Sequence, residues 1–261
     1  MRVISICPSN TEIMAYLNLS SHLVGLDDES DWPKHIQHLP RLGPDLSINM
    51  DKIEALKPDL VLASLSVPGM ERNVEQLKKR NIPHLVLNPQ SLHDISKDLL
   101  TVGEACGRKG EAEAYITQFN HKVTELRKIG LSINHRPTVY WEWWPKPVFT
   151  PGRINWLTEI SELAGGENLY ADIELASIQT NWEDVKERDP DIIAMAWVGV
   201  KQQKMNPSLL MYRPGWKEIK AIQHNKIFIL EEALYCRPSP RLIEGAIKLG
   251  KLLHPEKYSH L

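Results

Sequence analysis

Cysteine is scarce in this chain. Cys7, Cys106 and Cys236 are the full complement, far apart and without a CxxC pair, which speaks against a disulfide framework or a zinc knuckle. No apolar run approaches the ~20 residues that a membrane span needs. No basic tract occurs and the formal net charge is −2, so nucleic acid is not an expected partner. GxGxxG and GxxxxGK[ST] are both missing, which removes dinucleotide and P-loop chemistry. GxSxG and HExxH are missing too, and no acid, base and nucleophile converge, so the chain is not expected to be an enzyme. A secretory leader is also lacking, because VISIC after Met1-Arg2 is too short for an apolar leader core. The expected location is cytoplasmic if the chain is complete from Met1. It is extracytoplasmic, periplasmic or lipid-anchored at the cell surface, if a leader has been removed.

What is present is a chain of 261 residues with 42% apolar and 25% charged side chains, ordinary for globular proteins and long enough for two lobes. Short apolar runs alternate with helical patterns. RVISI (2–6), HLVGL (22–26), DLVLAS (59–64) and HLVLN (84–88) read as strands. Ser9-x-x-Glu12 and Ser91-x-x-Asp94 read as capping boxes, the first opening a helix to about Leu17. A further helix is expected over 70–80. Alternating strands and helices predict parallel sheets covered by helices.

The second half echoes the first. MDKIEALKPDLVLA (50–63) resembles WEDVKERDPDIIAM (182–195). Each reads as a short helix, a Pro-Asp turn and a strand; shared turn chemistry alone is the alternative explanation. Between the halves, Ala112, Tyr115, Phe119, Val123 and Leu126 recur at three- and four-residue steps within 107–130. That spacing predicts one long helix, a stiff connector of ~30 Å. The expected organisation is an N-terminal α/β lobe over 1–107, a linking helix over 108–133 and a C-terminal α/β lobe over 134–261.

Tryptophan is unevenly spread: Trp32 stands alone in the first half, and the other seven of the eight lie in the second. YWEWWPKPVFTPG (140–152) is the densest stretch. As a strand it places Val139, Trp141 and Trp143 on one face and Tyr140, Glu142 and Trp144 on the other. Tyr140 and Trp141 can serve equally as core. Trp143 and Trp144 sit at the strand's end, where open α/β sheets bind ligands. Trp197, ending DIIAMAW, holds the comparable place in the repeat. Rings so placed suit a large, flat, partly apolar ligand.

Read end to end, RVISICPSNTEI, SDWP, ALKPDLVLAS, WWPKPVFTPG, LAGGENLY and RPSPRLIEGA resemble, in that order, the class III periplasmic substrate-binding proteins of ABC importers. The similarity is greatest to the vitamin B12 (cobalamin) binders, with siderophore and haem binders as cousins. The resemblance implies two Rossmann-like α/β lobes with parallel sheets, one long joining helix and a ligand cleft between the lobes. It implies binding positions at Cys7, Pro8, Gly43, Pro44, Ser64, Ser66, Trp143, Trp144, Ser177, Gln179, Tyr235 and Arg237, to which the strand pattern adds Trp197. Arg237 matches an arginine that reaches bound cobalamin in a relative. Ala233 stands where that relative has an acidic contact, and Ser64 where some relatives have tryptophan. The resemblance also implies two docking carboxylates, Glu71 and Glu183, facing arginines of the transporter's membrane subunits. For Glu183 a capping box, Thr180-x-x-Glu183, is the competing reading.

The leading expectation is therefore a monomeric binding protein without a cofactor. It captures a corrinoid and hands it to the membrane subunits of an ABC importer. A cytoplasmic corrinoid carrier or sensor, a siderophore or haem binder, and an enzyme acting on a tetrapyrrole are the alternatives. His35 and His38 beside the acidic run 27–31 read as a solvated loop and helix start in preference to a metal site. Cys7 and Cys236 read as small packing residues in preference to axial thiolates.

Overall fold

The computed structural model describes residues 1–261. The chain divides into two compact units, Met1–Asn120 with Pro238–Pro240, and His121–Arg237 with Arg241–Leu261. The first holds a four-stranded parallel sheet in the order β2-β1-β3-β4, made of β1 (Val3–Ser5), β2 (Leu23–Leu26), β3 (Leu60–Ser64) and β4 (His84–Leu87). All four occupy the apolar runs expected to be strands. Around them lie α1 (Pro8–Tyr16), α2 (Met50–Ala55), α3 (Glu71–Lys79) and α4 (Leu92–Ala105).

The second unit repeats this topology. Its parallel sheet runs β11-β10-β5-β8, from β5 (Thr138–Glu142), β8 (Glu167–Asn168), β10 (Ile192–Met195) and β11 (Ile227–Ile229). Read in chain order, both sheets place the second strand beside the first, then the third, then the fourth. A small antiparallel sheet, β6 (Trp144–Pro145), β7 (Val148–Pro151) and β9 (Ser177–Thr180), is added to it. The helices are α6 (Trp156–Leu163), α7 (Trp182–Arg188), α8 (Lys220–Gln223), α9 (Glu232–Tyr235), α10 (Leu242–Leu253) and α11 (Pro255–Tyr258).

The sequence echo corresponds to one building block used twice. Asn49 caps α2 by accepting from the Lys52 amide, and Asn181 caps α7 by accepting from that of Asp184. Each helix is followed by a residue in the left-handed region, Lys57 at φ 45° and Asp189 at φ 46°. The Pro-Asp pair comes next. Asp59 accepts the amide of Arg2, just before β1, and Asp191 accepts the amide of Thr138, which begins β5. The aspartate thus satisfies an N–H that the first strand of each sheet would otherwise leave unpaired.

α5 (Lys109–Leu131) is the long helix that the spacing predicted, and it carries the chain from one unit into the other. Ala112, Phe119, Val123 and Leu126 are buried along it and Tyr115 is partly so, the face that was read from the sequence.

Two capping expectations fail. α1 starts at Pro8, with no side-chain cap at Cys7. Ser9 Oγ instead meets Cys7 Sγ at 3.2 Å, and the buried Glu12 accepts from Ser239 Oγ at 2.5 Å. A proline at the first helical position supplies the preset φ that makes a capping box unnecessary. Thr180 donates to Asp184 and leaves Glu183 out, and the cap of α7 is Asn181. Ser91-x-x-Asp94 behaves as expected: Ser91 Oγ accepts the Asp94 amide, and Asp94 accepts from Ser91 Oγ and the Gln90 amide.

The acidic run 27–31 is not all solvated. Asp27 is wholly buried and accepts from the amides of Glu29 and Ser30 and from Ser30 Oγ. Burial is the main force pushing its carboxyl up, to about 7; nearby Glu29 and Asp45 add to this, and Ser30's donors oppose it. The unfolded side chain releases its proton near ~3.9. The folded state therefore holds the proton over a range where the unfolded state has lost it. Asp27's contribution to stability is full at low pH and declines as pH rises from about 4 to about 7. In urea melts from pH 4 to 8, Asp27→Asn should remove that part of the slope; identical slopes in variant and parent would show Asp27 ionised throughout.

Candidate functional site

In the first unit, the expected binding positions lie just beyond the carboxyl ends of β1 and β3 and in the loop before α2. Cys7 is buried at the entry to α1, beside a hydrogen-bonded network. Thr11 Oγ1 meets Ser5 Oγ at 2.8 Å and Ser30 Oγ at 2.7 Å, while Ser5 Oγ donates to the Cys7 carbonyl and Asn10 Nδ2 to that of Ala63. Ser64 is buried and bonds Ser66 Oγ at 2.9 Å. Gly43 is half-buried with φ 108°, a conformation that favours glycine, and Pro44 is exposed. Burial pushes the Cys7 thiol up to about 11 and raises that of Cys236 well above its ordinary value. Neither is a ready thiolate at neutral pH, so packing is the role their surroundings fit.

In the second unit the small antiparallel sheet presents two different faces. Val148, Thr150 and Ile178 point into the core and are buried. On the opposite face the register sets Trp144 beside Phe149, Phe149 beside Gln179, and Pro151 beside Ser177. Side chains directly opposite on antiparallel strands share a face, so Trp144, Phe149 and Gln179 form one row, with Ser177 on the same face two residues from Gln179. Trp144 is 42% exposed, and Ser177 and Gln179 are exposed as well. The Trp197 ring packs beside Trp144 with centroids 6.3 Å apart. The chain reaches that place because β10 continues past its last strand residue: the Ala196 amide donates to the Glu142 carbonyl and the Val198 amide to that of Trp143. Gly152 closes the sheet's edge, since a Cβ there would lie 2.3 Å from the Leu175 carbonyl oxygen.

Tyr140 and Trp141 of the stretch are core residues. Trp141 is fully buried with its N–H on Ser161 Oγ at 2.8 Å, and Tyr140 is fully buried against Trp216. Trp143 turns to the α6 side, 6.0 Å from the Trp156 ring. Tyr235, expected at the ligand, is fully buried with its hydroxyl on the Gly245 carbonyl and its ring 5.5 Å from Trp141. It is a core residue. Arg237 has little exposure and is tied to Glu232 at 2.9 Å.

Three residues at this site were not singled out from sequence. Phe149, half-buried, lies between Trp144 and Gln179 in the row. Glu142 is completely buried, and Arg213 nearly so, and they form a two-pronged ion pair. A lone carboxylate inside VYWEWW was the available signal, because a charge in a buried strand needs a partner. Nothing in the sequence around Arg213, some seventy positions on, names it as that partner.

The residues 3–234 match the family described as periplasmic binding protein. The chain belongs to the periplasmic binding protein family. As a periplasmic binding protein it is a substrate-binding protein of the ABC-importer type, from a family of binding proteins and not of enzymes. An uncharacterized ABC transporter substrate-binding lipoprotein of Bacillus subtilis strain 168 is 29% identical over 98% of this chain and 81% of its own length. A vitamin B12-binding protein of Yersinia pestis is 29% identical over 95% of this chain and 84% of its own. Among solved structures, the periplasmic vitamin B12 binding protein BtuF of Vibrio cholerae superposes with a TM-score of 0.78 at 24% identity, covering 97% of this chain and 96% of that one. IsdE of S. aureus, solved in complex with heme, gives 0.85 at 20% identity, covering 97% and 98%. These two likenesses establish the fold: paired parallel sheets and a long helix.

The exposure contrast makes a direct test. Trp144→Ala should weaken ligand binding by ~1–3 kcal/mol, the value of burying an exposed ring, with little change in melting temperature. Trp141→Ala should instead cost ~3–5 kcal/mol of folding stability, as core aromatic truncations do. Calorimetric melts and titrations on both proteins check the pair.

Proposed function

We propose that this periplasmic binding protein captures a cobalamin-like corrinoid and delivers it to the membrane subunits of an ABC importer. The observation that carries the reading is the sheet face of Trp144, Phe149, Gln179 and Ser177 with Trp197 beside it. Flat rings offer apolar area and stacking, and the amide and hydroxyl offer the few polar contacts that orient a ligand. Relatives named vitamin B12-binding proteins support the same ligand class. The alternative is haem, favoured by similarity in fold to a heme complex. That face carries no imidazole, phenol or thiol, so it suits a ligand whose metal brings its own axial groups better than one that takes them from the protein. Arg237 of the second unit is proposed as a further contact.

Parallel titrations with cyanocobalamin, haemin and a ferric hydroxamate test this. Cyanocobalamin should bind at micromolar affinity or better and quench tryptophan fluorescence strongly. Saturable binding of haemin alone would replace the corrinoid with haem.

Glu71 and Glu183 are proposed as the docking carboxylates. Both are exposed in the first turns of α3 and α7. Glu71 accepts the Gly69 amide at 2.7 Å, whereas the cap of α7 belongs to Asn181, so local structure makes no use of the Glu183 side chain. Glu71→Lys with Glu183→Lys should leave cyanocobalamin affinity intact and abolish stimulation of the cognate importer's ATPase through like-charge repulsion. Normal stimulation by the double variant would show that docking does not use these two carboxylates.

A further inference from the structure

The carboxylate of Glu142 has no exposure and receives a full set of donors. Tyr140 Oη donates to Oε2 at 3.1 Å, Trp197 Nε1 to Oε1 at 3.1 Å, Arg213 Nη2 to Oε1 at 2.9 Å, and Arg213 Nη1 to Oε2. Arg213 is held in turn between rings: its guanidinium lies 4.2 Å from the centroid of Trp216 and 5.0 Å from that of Trp182. Trp216 Nε1 donates to the Trp182 carbonyl at 3.0 Å, and Trp182 Nε1 to the Pro145 carbonyl at 2.9 Å. Pro145 adjoins Trp144, and Trp182 begins α7 and adjoins Glu183.

We infer that Glu142 and Arg213 are positioning residues for the aromatic site, fixing the Trp197 indole through its N–H so that it meets Trp144 in one orientation. This rests on the reading of Trp144 and Trp197 as ligand-facing rings. Trp197 is half-buried on a loop after a strand; an indole so placed can still turn about its two side-chain bonds, and ordering it on ligand binding would cost affinity. A bond to a buried, ionised carboxylate removes that freedom beforehand. Arg213 supplies the positive charge without which the carboxylate would be uncompensated. The arrangement goes beyond what stability alone calls for, since a buried ion pair is often no more stabilising than an apolar filling of the same shape. The same arginine packs against Trp182, so the ring site and the first turn of α7 share one support.

The test is a double-mutant cycle in the full chain with cyanocobalamin as the probe. Glu142→Gln keeps the shape and loses the charge; Trp197→Phe keeps a ring and loses the N–H. Each should weaken cyanocobalamin binding by roughly tenfold, in line with loss of one hydrogen bond to a charged group. The double variant should be no weaker than the weaker single one, because both changes remove the same charge-assisted bond. Losses that multiply, or wild-type affinity in Glu142→Gln, would overturn the inference. A ligand-free readout separates it from the functional reading. In a 1H–15N spectrum the Trp197 indole resonance should stand downfield and move upfield in Glu142→Gln. An unmoved resonance overturns the positioning role even where cyanocobalamin binds. A moved one sustains it even where cyanocobalamin fails and haemin binds in its place. If Glu142→Gln does not fold, Glu142→Asp, which keeps the charge but draws the carboxylate back from Trp197 Nε1, takes its place in the same cycle with the same outcomes expected.

Discussion

A carboxylate buried at the end of a parallel strand is the constraint around which the second unit is arranged. Moving Glu142 out of water is costly unless each oxygen finds donors, and here Tyr140, Trp197 and the fork of Arg213 provide them. Arginine suits this task because its planar, weakly hydrated cation can bond in its plane and stack on both faces, and Trp182 and Trp216 lie against it. The tryptophan richness of the second half follows from this. Some indoles wall the charge pair, some fill the core, and Trp144 and Trp197 reach outward.

The two units show how a small amount of turn chemistry sets a topology. Asparagine caps a short helix, a residue enters the left-handed region, and a Pro-Asp pair delivers an aspartate to the start of the neighbouring strand. Left-handed backbone costs more for Lys57 or Asp189 than for glycine. Its recurrence at matching positions is explained by the geometry needed to turn from helix into strand within so few residues. The same strand order in both sheets is the larger consequence. Onto this frame the second unit adds the short antiparallel sheet, and that addition, not the shared frame, carries the exposed aromatic row.

A face of outward-turned rings sits at the margin of the core by necessity. Trp141 and Tyr235 pack inside while Trp144, from the same strand region, is exposed. The change takes place over three residues because the chain leaves the parallel sheet after Glu142 and pairs with β7 instead. An exposed ring is held by its neighbours more than by burial, and the neighbour of Trp144 is the half-buried Trp197, which is why the polar support behind Trp197 matters.

Much was legible in the sequence alone. Apolar runs located the strands of the first sheet, three- and four-residue spacing located the long helix, and the echo between 50–63 and 182–195 marked a true structural repeat, because local patterns impose local structure directly. Trp144 and Trp197 were legible as strand-end rings for the same reason. Tertiary structure decided the rest. It placed Tyr235 in the core, gave the cap of α7 to Asn181 and left Glu183 free of it, buried Asp27 within an acidic run, and set Phe149 in line with Trp144 through strand register. Above all it joined Glu142 to Arg213. Their pairing depends on which segments the fold brings together, and no local pattern of side chains encodes the distant partner that a buried charge requires.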